Sequence, residues 1–152
     1  MAQMSIRQNL KNTYFKLLIP VIAVLGVIYL IKLFGLLEAT QIEFIRFISI
    51  LFFILAAVSS LALPIFYRTL FVSRLKNKKT ISLNEFLEFE KKIIIISMLT
   101  PYIIIIPLIF NFPGFYFGGI ILFALYAAYY FYPSEKRVEF EKKLFRIKED
   151  IS

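Results

Sequence analysis

The sequence predicts an all-α integral membrane protein. We expect four transmembrane helices, arranged as two helical hairpins, with cytoplasmic amphipathic helical segments. Three observations carry that expectation. First, 60% of the 152 residues are hydrophobic and the mean hydropathy is +0.78, well above the roughly 45–50% apolar content of a soluble domain. Second, the 42 residues from Ile93 to Ser134 contain no Asp, Glu, Lys, Arg or His. As one helix they would run to about 63 Å, twice the roughly 30 Å hydrocarbon core of a bilayer, so the stretch must fold back. The fold point is Asn111-Phe112-Pro113-Gly114, where Pro113 ends a helix and Gly114 accepts a turn. Third, the net charge of +8 and pI near 9.7 come from bases that flank apolar runs. That placement suits membrane orientation and anionic headgroups, and it argues against nucleic acid as a partner.

Absent residue types remove whole classes of chemistry. With no cysteine and no histidine, thiolate or conventional zinc sites, a haem ligated by His and a His general base are all unsupported. No catalytic, cofactor or metal site is expected. Tryptophan is missing as well, so the 9 Tyr and 18 Phe must furnish any interfacial belt.

The chain reads as a single membrane domain, 1–152, with spans at about 17–37, 44–66, 93–110 and 117–132. Residues 1–16 are polar and basic. The apolar run that follows is longer than a signal peptide's and lacks a small-x-small cleavage site, so it reads as a retained span. Pro20 is placed in its opening turn as a helix initiator. Lys32 lies near the far end, where its stem can snorkel to the headgroups. Ala56 and Ser60, four residues apart in the second span, form a small pair that admits a neighbouring helix. Pro64 is expected to bend that span near its lower end.

Residues 68–92 form a basic loop. Arg74, Lys76, Lys78 and Lys79 lie directly below a span, a candidate contact for anionic lipid. Ser82-Leu83-Asn84-Glu85 fits a capping box. The amphipathic helix it starts is expected to lie on the membrane, or to dock a partner, before turning or running straight into the third span. That span holds Pro101 and Pro107, which orphan the carbonyls of Ser97 and Ile103. The stretch Ser97, Thr100, Pro101 and Tyr102 is therefore a candidate helix break or transport pathway. Ala124 and Ala128 are the small pair of the fourth span. Aromatic clusters at its two ends read as interfacial belts, with a stacking site for an aromatic ligand as the alternative.

Pro133 closes the fourth span and Ser134 can cap the next helix. The basic tail, 134–152, carries Phe140, Leu144, Ile147 and Ile151 at helical spacing, an apolar stripe suited to a membrane surface or a docking partner. With four spans, sixteen of the eighteen Lys and Arg share one side. The positive-inside rule then places both termini in the cytoplasm, and the Ile- and Lys-rich composition suits a bacterial inner membrane. The expected function is a non-catalytic accessory, assembly or anchoring subunit. Its partners would be anionic headgroups on the cytoplasmic side, together with other membrane subunits or further copies of itself. The alternative is a small homo-oligomeric transporter or channel for apolar or lipid-like substrates, because none of the four span centres holds an ionisable group to mark an ion pathway. An intramembrane enzyme is the third possibility, and no catalytic set supports it.

Overall fold

The computed structural model describes residues 2–36, 45–75, 81–145 and 147, with side chains from Ile6 onward. Helices α1 (Ala2–Leu33), α2 (Ile45–Ala57), α3 (Leu63–Leu75), α4 (Leu83–Ser97), α5 (Leu99–Ile103), α6 (Ile105–Ile109), α7 (Gly114–Tyr130) and α8 (Glu135–Leu144) account for most of it. Three helical rods, Ile6–Leu33, Ile45–Leu75 and Leu83–Ile109, are long and apolar enough to cross a membrane. A fourth is reached only when α7 and α8, bent by 74° at their junction, are taken together.

Helix α1 starts at Ala2, well before the apolar run at Leu17, because Ile6, Leu10, Tyr14, Val21 and Ile28 form one buried stripe through the polar segment and into the apolar one. Pro20 therefore lies inside the helix, not in its opening turn as the composition suggested. The helix ends on Gly35 in the left-handed region (φ 68°). There the amides of Gly35 and Leu36 return to the carbonyls of Lys32 and Ile31, at 3.0 and 3.1 Å, closing a Schellman turn.

The second rod contains a π-helical turn, Val58–Ala62, between α2 and α3. The Leu63 amide reaches five residues back to the Val58 carbonyl, and Pro64, which follows, has no amide to give the Ser60 carbonyl. The rod then continues to Leu75, beyond the expected end of the span. In the third rod, Ser82 caps α4 by accepting from the Glu85 amide at 3.3 Å, and the helix runs straight on toward Pro101. Turns at Met98 and Ile104 divide that rod into α4, α5 and α6. The reversal before α7 uses Asn111 in the left-handed region (φ 48°), with the Phe112 amide bonded to the Pro107 carbonyl at 3.2 Å. The turn conformation thus falls on Asn111 instead of Gly114, since asparagine tolerates it and Gly114 already begins α7.

The rod of α4, α5 and α6 is central. Helix α1 lies mainly against one side of it, while α2 to α3 and α7 pack on the other; the first two rods therefore do not pair chiefly with each other. The connector 37–44 that would complete the first hairpin falls outside the described residues. Two apolar clusters result. One, toward the turn at Asn111, holds Ala56, Phe112 and Ile120 with surrounding Phe and Ile side chains. The other gathers Ile6, Leu10, Phe86, Phe89, Val138 and Phe145, so the polar-flanked segments of α1, α4 and α8 meet at the same end of the bundle.

Candidate functional site

At that shared end, α8 closes the bundle. Ser134 accepts from the Arg137 amide at 3.3 Å and caps the helix, as its position after Pro133 predicts. The cap aims Val138, Glu141 and Phe145 inward and turns Phe140 and Leu144 out, 62% and 52% exposed. Three ion pairs then tie α8 to three other helices. Arg137 meets Glu90 of α4 at 3.1 Å, Glu141 meets Arg68 of α3 at 2.9 Å, and Glu135 meets Arg7 of α1 at 3.0 Å.

The first two pairs form a buried knot. The Glu90 and Glu141 side chains are only 3% and 7% exposed, against 17% for Arg137 and 35% for Arg68. Charges that far from water require partners with good geometry, and two guanidinium groups against two carboxylates balance the charge. Arg137 also donates to the Tyr130 carbonyl at 3.4 Å and stands 5.3 Å from the centre of the Phe131 ring, which fixes the end of α7 to the start of α8. A cavity of about 60 Å³ between Pro64, Ile93 and the four charged groups has the dimensions of a water site, too small for an organic substrate. Beside it, an open groove of about 470 Å³ runs between the end of α7 and α8.

The break in the third rod is filled by packing. Ser97, Thr100 and Pro101 are buried, and their hydroxyl neighbours are already engaged. Ser97 donates to the Ile93 carbonyl at 2.9 Å, Tyr102 to the Leu17 carbonyl at 2.7 Å, and Thr100 shares a 2.9 Å hydrogen bond with Ser59 of the π-helical turn. None of these bonds serves the Ser97 carbonyl orphaned by Pro101. The structure brings this stretch together with the small-residue positions Ala56 and Ser60, both fully buried. Ala124 is buried too, whereas Ala128 is half-buried and lends its carbonyl to the Tyr14 hydroxyl at 2.7 Å. Of the basic loop, Arg74 is exposed at the end of α3 and shares a groove with Glu85, Glu88 and Lys92. Lys76, Lys78 and Lys79 lie outside the described residues. Lys32 donates to the Asn111 side-chain oxygen, joining α1 to the opposite turn.

Sequence reasoning missed the Glu90–Arg137 and Glu141–Arg68 pairs. The signal was faint: Arg137 and Glu141 are four apart and suggest an intrahelical pair, whereas each reaches a different helix. Among the described residues, no group of three or more Asp, Glu, His or Cys is placed to hold a metal ion. The fold and its knot are those of a helical membrane protein whose charged groups bind its helices together. No family model, curated protein or solved structure matches this chain.

Proposed function

We propose that this chain is a non-catalytic, four-span subunit of a bacterial inner-membrane complex, with both termini in the cytoplasm, and that it stabilises or anchors larger partners. The observation that carries this reading is where the polar groups go. The buried charges close α8 onto α3 and α4, and the hydroxyls at the Pro101 break bond to neighbouring helices or to their own. Groups that would bind a solute on a transport route are here engaged in holding the bundle. The meeting of residues from α1, α4 and α8 in one apolar cluster supports a shared side for both termini, and the positive-inside count assigns that side to the cytoplasm. On this reading α7, with 17 residues, is the fourth span.

The test is the mass and composition of the particle extracted from native membranes in mild detergent. A discrete particle containing other chains is expected. A particle built only from copies of this chain would overturn the subunit reading and favour the transporter.

A further inference from the structure

The groove between the end of α7 and α8 combines charge, volume and an apolar approach in one place. Its walls carry Arg68, Lys136 and Arg137 with Glu141; Glu141 and Glu90 balance the two arginines, so Lys136 is the positive charge in excess. Arg68 gives one nitrogen to Glu141, and a guanidinium has five N–H donors, so donors remain for a second acceptor. The groove's volume of about 470 Å³ falls within the roughly 300–1,000 Å³ of small-ligand sites. Its upper rim is Tyr129 and Tyr130, and its lower rim Phe140, all exposed. Above Tyr129, the side chains of Leu125 and Leu122 continue outward at helical spacing, 60% and 69% exposed. An apolar track thus leads down α7 into a basic, tyrosine-rimmed pocket.

We propose that this groove holds the phosphate of an anionic phospholipid, with Arg68, Arg137 and Lys136 facing the headgroup and an acyl chain lying along Leu122 and Leu125. A positively charged pocket at the foot of a lipid-facing helix fits that ligand by both charge and polarity. The lipid would bridge α3, α7 and α8 at the knot. The site is separate from the basic loop at Arg74, and it does not depend on which subunits the chain joins.

The experiment is native mass spectrometry of the full chain with phosphatidylglycerol, phosphatidylcholine or inorganic phosphate, with thermal unfolding as a second readout. Wild type should retain one phosphatidylglycerol in preference to phosphatidylcholine. Lys136→Gln, at an exposed position, should reduce that preference by about fivefold. The paired change Arg68→Gln with Glu141→Gln, which leaves no buried charge unpartnered, should weaken it through loss of the Arg68 donors. Arg74→Gln should leave it intact. If the paired variant fails to fold, Lys136→Gln against Arg74→Gln still decides the matter. Equal retention of both lipids, or a preference lost with Arg74→Gln and kept with Lys136→Gln, would overturn the site. Stabilisation by inorganic phosphate equal to that by phosphatidylglycerol would overturn the lipid as its ligand.

Discussion

Gly118 and Gly119 are adjacent in the sequence and opposite in consequence. A methyl group on Gly119 would stand 2.3 Å from Cε2 of Phe53, whereas one on Gly118 would meet nothing within 4 Å. The Phe53 ring cannot easily yield, because Phe115, Tyr116 and Phe123 surround it at centroid distances of 5.5–6.3 Å. Gly119→Ala should therefore cost about 1–3 kcal/mol by overpacking, and Gly118→Ala should be neutral or stabilising by up to about 1 kcal/mol through helix propensity. Unfolding of the two variants by SDS titration measures the difference. Equal stabilities would mean that the ring moves aside and that α2 and α7 are loosely packed. The sequence showed small residues in both helices, but not which glycine faces a neighbour. Helix α7 is apolar on every side, so no polar face marks its orientation.

Local signals were legible at the scale of single elements, and long-range ones were not. Ser82 and Ser134 announce their helices because a cap needs only the next three residues. The direction in which α8 faces was misleading for a physical reason. Its hydrophobic pattern marks Phe140 and Leu144, which point outward, while the buried face is Val138, Glu141, Lys142 and Phe145. Two of those four carry charge, and Glu141 is buried because Arg68 of α3 meets it. Periodicity analysis counts charge as a mark of exposure, so it selects the wrong face. The same logic sets the energetics of Glu90. Arg137→Gln leaves a carboxylate almost without solvent, and should destabilise by about 3 kcal/mol. Adding Glu90→Gln should recover most of that loss, giving a coupling energy above about 1 kcal/mol in a double-mutant cycle. Additive losses would mean that the pair does not secure α8.

For the molecule as a whole, the sequence gives the apolar rods and the basic end, but it reads the charged segments as pieces spread on a headgroup surface. In the structure they build a second core beneath the rods. Leu10 and Phe86 have no exposed surface, and Phe89 has 2%. The two arrangements differ in how their amides open. A ten-residue helix such as α8, lying singly on a membrane, keeps its polar face open to water and has no packed neighbour to hold it. Such a segment opens locally at little free-energy cost and exchanges its amides quickly. Packed into a core, it opens only with the neighbours that bury it, at a cost approaching that of the whole unit. Hydrogen exchange in lipid nanodiscs separates the two. The amides of Leu10, Phe86 and Glu141 should exchange within about tenfold of the rate at Ile94 and Met98, which belong to the same cluster as Leu10 and Phe86. Arg137→Gln should raise the rate at Glu141 first, since α8 loses its hold on α4 before α1 loses its own. Fast exchange at Leu10 and Glu141 in the wild type would return these segments to the membrane surface and leave the groove above α8 without a floor.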